Sequence, residues 1–429
     1  MTQRYLLIPA LLAVFATGAF CQEPGRVIPD RVLNIDQSVS LALNNRKEVL
    51  LAEKEIKIAQ ERINEAGSFA YPKIDMTMNY SRVDTDHWMM LPPDFGSLLI
   101  PRNTPGDYYI TRFSLWQHVY SGGVYNSNLK LAKSNMIRAE NQKKTTDNDI
   151  TLEVKKEFYS LIAADKKLEA YNTAISSMEA AMKNAVPGNT AEKIQARDIL
   201  LEMKDEYLKM KNRHELQKLE FLKTIGLELN TRFEINETFE PVMETYDLYK
   251  LLAWSFKYRP EPIQIQVQEE MDALDVKLSM SARSPTVTLG AHYEFPGETL
   301  NFDNKYWNAT VNMNIPIYDG FASIYRTRQK SMQKDQNKLK RKDMEDSIQL
   351  EVRKAYLEYT FWQGELVNIK KQLDDSRQLL AVAEGDHYAT AAAYRSYLRN
   401  NVNYIEATRE QLTSRVVVEH AIGKPLARE

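Results

Sequence analysis

The sequence predicts a mainly helical fold with a small β part, built from two tandem copies of one unit. Residues 71–80 read YPKIDMTMNY and residues 284–293 read SPTVTLGAHY, so one proline-led, alternating pattern occurs twice. In each copy a helical segment precedes two strand-like stretches, and two long helical segments follow them. Repetition of a whole ordered set of elements indicates duplication of a structural unit.

The repeat extends well beyond its first match. LNIDQSVSLALNNRKEVL (33–50) aligns with YDLYKLLAWSFKYRPEPI (246–263) in the same register. Further along, EVKKEFYSL (153–161) aligns with EVRKAYLEY (351–359). A chance match would not keep its order over this length, so the two halves of the chain are copies.

The two copies differ mainly in one place. The first copy is longer than the second, and its extra residues fall within 81–111. We therefore predict a first structural repeat over 22–245 and a second over 246–429.

Each copy is predicted to contain two strands. Their ranges are about 72–81 and 107–119, separated by a loop over 82–106, and about 285–294 and 306–318. The last strand, YWNATVNMNIPIY, alternates large apolar side chains with asparagine and threonine. The residues expected to face lipid are Trp307, Val311, Met313 and Ile315.

Two details favour lipid contact over a soluble sheet. Tyrosines and Trp307 flank the apolar stripes, as interfacial aromatic residues do in membrane barrels. A length of about ten residues suits a tilted strand that crosses a bilayer. A soluble antiparallel sheet with one wet face would nevertheless alternate in the same way.

Two long helices are predicted in each copy, joined at a tip near Gly188 in the first copy and near Gly385 in the second. Apolar residues recur at spacings of three, four and seven, which indicates coiled-coil-like packing. The seam of the first copy comprises Val154, Phe158, Leu161, Leu168, Tyr171, Ile175, Met178 and Met182. A purely structural coiled coil would show the same seam, but it would not explain the strands.

Four lipid-facing strands cannot close into a barrel by themselves. The two edge strands would expose unpaired amides to lipid, which costs several kcal/mol per group. At least about eight strands are needed for a membrane barrel, so chains have to combine, and rotational symmetry is the usual route. Two chains would give a filled barrel and three would give a barrel with a lumen. The long helices favour a conduit without deciding between these numbers.

The first 21 residues, MTQRYLLIPALLAVFATGAFC, have the layout of a secretory signal peptide. A basic Arg4 precedes an apolar run, and the small residues Ala19 and Cys21 suit a cleavage site before Gln22. Lipidation of Cys21 is the alternative, although the bulky Phe20 before it is unlike the usual lipidation motif. No later stretch holds 18 consecutive apolar residues, so no transmembrane helix is predicted.

Composition and motifs argue against several function classes. The formal net charge is −2 and the basic runs have acidic neighbours, so a nucleic-acid-binding groove is not expected. Cys21 is the single cysteine and the six histidines are scattered, so no metal site is predicted. No phosphate-binding loop, dinucleotide fingerprint or nucleophile elbow appears, and we expect neither an enzyme nor a cofactor.

Several stretches together carry a family resemblance. They are SLALNNRKEVLLAEKEIKIAQ, the strand starts at Pro72 and Pro285, VYSGG and IYDGF after the second and fourth strands, EVKKEFYSL and EVRKAYLEY, and IGLEL and AIGKPL. Through them the chain resembles the TolC-type outer-membrane efflux proteins, or outer membrane factors, over essentially the whole sequence after the leader. The first helix departs from the family pattern, because the family's proline is present as Pro260 but is replaced by Lys47 in the first copy.

The resemblance implies a homotrimer in which each chain gives four strands to a twelve-stranded transmembrane barrel. The helices form a periplasmic α-barrel below the outer membrane of a Gram-negative cell. It further implies a passive exit duct of a tripartite efflux pump or type I secretion system. The partners are then outer-membrane lipid, a periplasmic adaptor and an inner-membrane transporter.

The resemblance also suggests site residues at the helical tips. The candidates for adaptor contact are Pro187, Gly188, Asn189 and Gly385, and the candidates for a periplasmic aperture are Glu384, Asp386, Tyr388 and Tyr394. Family members with carboxylate rings carry them just beyond the second tip, whereas YATAAAYRSYL (388–398) contains no acid. Glu384 and Asp386 are thus the acids that would form a ring in this chain; the alternative is that both are solvated turn residues.

A different class of function remains as the alternative: a soluble periplasmic coiled-coil scaffold or adaptor that conducts nothing. Adaptors also contain hairpins of long helices, but they normally present one hairpin beside glycine-rich β domains. This sequence has two equivalent hairpins and lacks such domains. It indicates neither the substrate nor whether the partner pump is driven by protons or by ATP.

Overall fold

The computed structural model describes residues 31–82, 88–90, 99–101, 107–184, 190–383 and 386–426. Its strands are β1 (Arg31–Leu33), β2 (Lys73–Arg82), β3 (Trp88–Met90), β4 (Leu99–Pro101), β5 (Asp107–Tyr120), β6 (Phe233–Ile235), β7 (Thr286–Gly297) and β8 (Tyr306–Asn314). Its helices are α1 (Ile35–Asn45), α2 (Lys47–Ser68), α3 (Val124–Asn184), α4 (Thr190–Thr224), α5 (Leu248–Tyr258), α6 (Glu261–Ser281), α7 (Ala322–Val382) and α8 (His387–Ile422). The predicted signal peptide and the tip residues Pro187, Gly188, Asn189, Glu384 and Gly385 lie outside the described residues.

The same order of elements occurs twice along the chain. The elements α1, α2, β2, β5, α3 and α4 correspond to α5, α6, β7, β8, α7 and α8. Helices α3 and α7 have 61 residues each, which gives a length of about 90 Å at about 1.5 Å per residue. The fold is therefore mainly helical, as predicted. Among the described helices, none combines the length and the apolar character that crossing a membrane requires.

The four longer strands form one antiparallel sheet in the order β2-β5-β7-β8. One row across this sheet joins Met76, Phe113, Tyr293 and Trp307, so matching positions of the two copies share a face. Strands β2 and β8 each have a partner on one side only within the described sheet. The sheet thus ends in two free edges.

Three predicted boundaries differ from the structure. Strand β7 continues to Gly297, past the predicted end near residue 294. Strand β8 ends at Asn314 rather than at residue 318, which leaves Ile315 beyond the strand. Pro316 explains the early end, because proline has no N–H with which to continue a ladder. The segment 82–106, predicted as a loop, begins with the last residue of β2 and contains the short antiparallel pair β3 and β4.

The single predicted first helix of each copy is broken into two. Arg46 separates α1 from α2 with an extended backbone (φ −67°, ψ 135°), and Arg259 separates α5 from α6 in the same way (φ −68°, ψ 145°). Pro260 accounts for the second break, because proline disfavours a helical conformation in the residue before it. Lys47 follows Arg46, so the first break needs another cause.

Ion pairs accompany the break in both copies. The guanidinium groups bond to carboxylates at matched positions: Arg46 to Glu48 and Glu153, and Arg259 to Glu261 and Glu351. The two bonds of Arg259 are each 2.7 Å long, within the range of charge-assisted hydrogen bonds. Each arginine therefore ties the start of one helix to the long helix that follows in its copy.

A left-handed turn leads from the sheet into each long helix. Gly122 and Gly123 have φ of +63° and +87°, and at the matching positions Gly320 and Phe321 have φ of +67° and 65°. A residue other than glycine in this conformation costs about 1–2 kcal/mol. The ring of Phe321 packs edge-on against Tyr318 at 5.5 Å between centroids. This contact helps to hold in the second copy a turn that two glycines form in the first.

Three clusters of buried apolar side chains hold the helices together. One lies among α1, α3 and α4 and includes Val154 and Ile225; its counterpart among α5, α7 and α8 includes Val352 and Ile422. The third cluster, around Met178, joins α3 and α4 of the first copy to α8 of the second. The first two clusters stabilise each copy, and the third makes the two copies one unit.

The segment between β6 and α5 connects the two copies and lies against α7 and α8. Its Glu244 carbonyl accepts hydrogen bonds from Tyr359 Oη and Gln363 Nε2, both at 2.8 Å. The Gln411 amide bonds to both backbone groups of Val242. Side chains of the second copy therefore hold this end of the connection, while Asn236 N–H donates to the Leu33 carbonyl and Phe239 packs against a buried cluster of the first copy.

Candidate functional site

Large apolar side chains cover one face of the four-stranded sheet and are exposed in the single chain. They include Ile74, Met76, Met78, Phe113, Leu289, Tyr293, Trp307, Val311 and Met313. Trp307 is 72% exposed and Val311 is 70% exposed. A contiguous exposed apolar surface marks an interface with lipid or with another protein. Three of the four candidate lipid-facing residues lie on this face, and Ile315 follows the strand.

The opposite face of the sheet carries polar and charged side chains. Arg112 of β5 forms an ion pair with Glu294 of β7, and the hydroxyl group of Tyr306 donates to the same carboxylate. One row further, Ser114 Oγ and His292 Nδ1 are 3.1 Å apart. Because successive strand residues point to opposite faces, the sheet separates these groups cleanly from the apolar set.

Aromatic side chains lie at both ends of the sheet. Tyr80 and Tyr109 pack together at the end that carries the loops, with 5.0 Å between their ring centroids. Tyr71, Tyr120 and Tyr318 are exposed at the end where the strands meet the helices. Aromatic levels at both ends of an apolar band are typical of strands that cross a membrane.

The candidate aperture residues that the structure describes lie at the start of α8. The Asp386 carboxylate accepts hydrogen bonds from the N–H groups of Tyr388 (2.8 Å) and Ala389 (3.3 Å), so it caps this helix. Tyr388 is exposed, whereas Tyr394 packs against the cluster that joins the two copies. Capping gives Asp386 a structural role, and an aperture at these positions stays a prediction.

A group of titratable side chains lies where α3, α7 and α8 meet, and the sequence patterns did not reveal it. His420 Nε2 is 2.8 Å from Asp149 Oδ1, and His420 Nδ1 is 3.6 Å from Glu351 Oε1. The Glu351 and Asp149 carboxylates raise the pKa of His420. Hydrogen bonding to His420 and the charge of Arg259 lower the pKa of Glu351. The group extends an ion pair that both copies have; its histidine has no counterpart, because Lys223 occupies the matching position.

Metal binding has no support in the described part of the chain. There, no group of three or more histidine, aspartate, glutamate or cysteine side chains is arranged to hold a metal ion.

The sequence of the first copy matches a family model. Residues 38–185, which run from within α1 through α2, β2 and β5 to the end of α3, match the model of the outer membrane efflux protein family. The resemblance to TolC-type outer-membrane efflux proteins is thereby confirmed. Among curated proteins, none matches the chain in sequence.

Solved structures of outer-membrane channels share the fold of almost the whole chain. The outer membrane protein VceC from Vibrio cholerae has a TM-score of 0.73 at 14% identity, covering 91% of this chain and 96% of that one. The CmeC outer membrane channel of Campylobacter jejuni has a TM-score of 0.72 at 18% identity, covering 91% and 85%. The open state of the Neisseria gonorrhoeae MtrE channel has a TM-score of 0.76 at 12% identity, covering 91% and 89%. The chain has the fold of these channels, with long helices and a small β part.

We expect the His420 group to make stability depend on pH in a defined direction. Because the folded-state pKa of His420 is raised, its contribution is complete below about pH 6.5 and is lost as the pH rises through the raised value. Glu351, whose pKa is lowered, contributes above its ordinary pKa, and this contribution is lost as the pH falls through the lowered value. The midpoint of thermal unfolding should therefore fall between about pH 6 and about pH 8 by more in the wild type than in His420→Gln.

Asp149→Asn is the second variant for this measurement. It removes one of the two carboxylates at His420 and should weaken the pH dependence without abolishing it. Equal pH dependence in the wild type and in His420→Gln would contradict the prediction.

Proposed function

We propose that the chain is the outer-membrane channel of a tripartite efflux pump or a type I secretion system. It acts as a passive exit duct through the outer membrane of a Gram-negative cell, and its helices extend the duct into the periplasm. The observation that carries this proposal is a sheet with one exposed apolar face, joined directly to helices of 61 residues. The fold shared with solved outer-membrane channels supports it.

The proposal includes a homotrimer. The free edges of β2 and β8 need partners, because unpaired backbone groups are costly in lipid. If β8 of each chain pairs with β2 of the next, three chains give twelve strands, a number that leaves a lumen. Two helices also expose apolar side chains at seven-residue intervals: Ile194, Leu201 and Leu208 on α4, and Tyr325, Met332 and Leu339 on α7. These stripes suit packing against neighbouring chains.

The alternative, a soluble scaffold or adaptor, conflicts with the sheet. Such a protein would leave Trp307, Val311 and Met313 in water on a face that no described part of the chain covers. Surfaces of this kind are rare on soluble monomers. The exposed face therefore favours the membrane channel.

Measurement of mass in detergent tests the proposed function. The protein purified from outer membranes should have three times the mass of the mature chain and should form ion-conducting pores in planar bilayers. A stable monomer that stays in solution without detergent would refute the proposal.

Adjacent residues of β8 provide a matched test of the two faces. Met313→Arg places a charge on the apolar face and should impair assembly. The cost is about 1 kcal/mol, because Met313 lies near the helix end of the sheet, in one row with Val287 and Tyr120. Asn312→Arg places the same charge on the polar face and should be tolerated. The amount of heat-resistant trimer in outer membranes measures the difference. Equal losses in the two variants would show that the faces are assigned wrongly.

We further propose that the two helical tips contact a periplasmic adaptor. The candidates Pro187, Gly188, Asn189 and Gly385 interrupt the helical pattern of the sequence at matching points of the two copies. Cysteines at Lys183 and Ala383, the described residues next to the tips, should crosslink to the adaptor in intact cells. A cysteine at Asn301, in the loop between β7 and β8, is the control and should not. Crosslinking from Asn301 alone would reverse the orientation.

The periplasmic aperture is proposed to involve Glu384, Asp386, Tyr388 and Tyr394. Three copies of two acids in a narrow ring would attract cations. Asp386→Asn with Glu384→Gln should lower the cation preference of the pore, measured as a reversal potential. Asparagine caps a helix about as well as aspartate, whereas Asp386→Ala should also destabilise α8 by about 1 kcal/mol. An unchanged reversal potential in the double variant would leave Asp386 with its capping role alone.

A further inference from the structure

A tryptophan lies on the polar face of the sheet. Trp116 of β5 shares this face with Arg112 and Ser114, and it pairs with Gly290 of β7, which pairs in turn with Thr310 of β8. Polar faces of antiparallel sheets normally carry polar side chains. An indole ring on this face is therefore an exception to the usual pattern.

Gly290 provides the space in which the indole ring lies. A Cβ atom at residue 290 would lie 2.9 Å from Cζ3 and 3.2 Å from Cε3 of Trp116, and 2.8 Å from Oγ1 of Thr310. Because the Cβ atom of a strand residue points out of the sheet, these contacts put the ring across the backbone of β7. Glycine within a strand often marks such a close approach.

His292 supports the same ring from the side. The Trp116 and His292 rings meet edge to face, with 4.6 Å between centroids and 72° between planes. Ser114 Oγ, 3.1 Å from His292 Nδ1, fixes the imidazole in turn. A cross-strand aromatic residue that covers a strand glycine is a known device for stabilising sheets. The indole ring thus lies over Gly290 and packs against the imidazole ring of His292.

We propose that Gly290 sets the width of the barrel lumen at the level of Trp116, because it lets the indole ring lie flat against the wall. The inference rests on the proposed function, since it requires the polar face to line the lumen. A side chain at residue 290 pushes the ring away from β7 and into the lumen, and threefold symmetry repeats the effect in every chain. Gly290 is therefore a positioning residue that acts on the duct through Trp116.

Two positions of β8 allow the width to be probed locally. Asn308 and Asn314 lie on the polar face on opposite sides of the row that contains Trp116, with Asn314 nearer the helices. A reagent that enters from the loop end of the sheet reaches Asn308 first and must pass Trp116 to reach Asn314. A single cysteine is placed at one of the two positions and labelled from outside intact cells with maleimides of increasing size. The labelling rate reports whether a maleimide of a given size can pass the level of Trp116. The parent chain, whose only cysteine is Cys21, gives the background.

Gly290→Leu should slow labelling at residue 314 several-fold for bulky maleimides and leave labelling at residue 308 unchanged. Addition of Trp116→Ala to Gly290→Leu should restore the rate, because the displaced ring is then absent. Ala291→Leu, the adjacent residue on the apolar face, is the matched control and should not change either rate. Gly290→Ala should slow labelling by less than Gly290→Leu, and it keeps the test available if the leucine variant fails to assemble.

The outcomes separate this inference from the proposed function. The inference is wrong if both cysteines are labelled in the parent trimer and substitutions at Gly290 have no effect on the rate. It is also wrong if Trp116→Ala does not restore the rate. Either result leaves the proposed channel function intact. If a small maleimide labels neither cysteine, or if Ala291→Leu slows labelling in place of Gly290→Leu, the polar face does not line the lumen and the proposed function fails with it.

Discussion

The structure depends on one constraint: the sheet has an apolar face and also two edges that pair with no other described strand of the chain. Lipid can cover the face, but it cannot satisfy the N–H and C=O groups of β2 and β8. Strands of other copies can pair with these N–H and C=O groups, and a closed ring of copies leaves no unpaired edge. The helices begin where the strands end, through the turns at Gly122 and Gly320. In the proposed trimer, closure of the strands would bring the long helices of all copies into one ring below the barrel.

Duplication supplies this arrangement with two similar hairpins, and the points at which the copies differ are informative. The ion pairs at Arg46 and Arg259 recur at matched positions, as do the buried clusters around Val154 and Val352. One difference between the copies lies where they are joined to each other. Gln363 stands where the first copy has a carboxylate. Its amide donates a hydrogen bond to the backbone of the connecting segment, and a carboxylate could not donate one. Positions that match between the copies form the fold of each copy, and some of the positions that differ connect the copies.

Sequence patterns predicted the parts of the fold that follow from short-range periodicity. Alternation located the strands of the sheet, and the three-four spacing located α3 and α7. Patterns failed where the cause is distant in the chain. The break at Arg46 is accompanied by an ion pair with Glu153, more than a hundred residues away, and only the second break had a local sign in Pro260. The end of β8 was missed although Pro316 marks it, because the alternation of Ile315 and Ile317 continues past the last paired residue.

Some candidate site residues could likewise be located from short-range periodicity, and others could not. Trp307, Val311 and Met313 were predictable because a face of a strand can be counted off along the sequence. Asp386 could be found as an acid near a tip, but its hydrogen bonds to Tyr388 and Ala389 required coordinates. Trp116 has no sequence signal as a residue of the polar face, because its role arises from the glycine opposite it on another strand.

Low sequence identity beside a shared fold shows which features the fold itself requires. The chain keeps the architecture of channels with which it shares 12–18% of its residues. Alternation, a helical seam, left-handed turns and helix breaks are properties of residue classes and spacings, so many sequences satisfy them. Single residues matter more where groups meet across strands, as in the Arg112–Glu294 pair and the contact of Trp116 with Gly290. These contacts lie on the polar face of the sheet. In the proposed channel the apolar face and the helical seam serve assembly, and the polar face would line the path that a substrate takes.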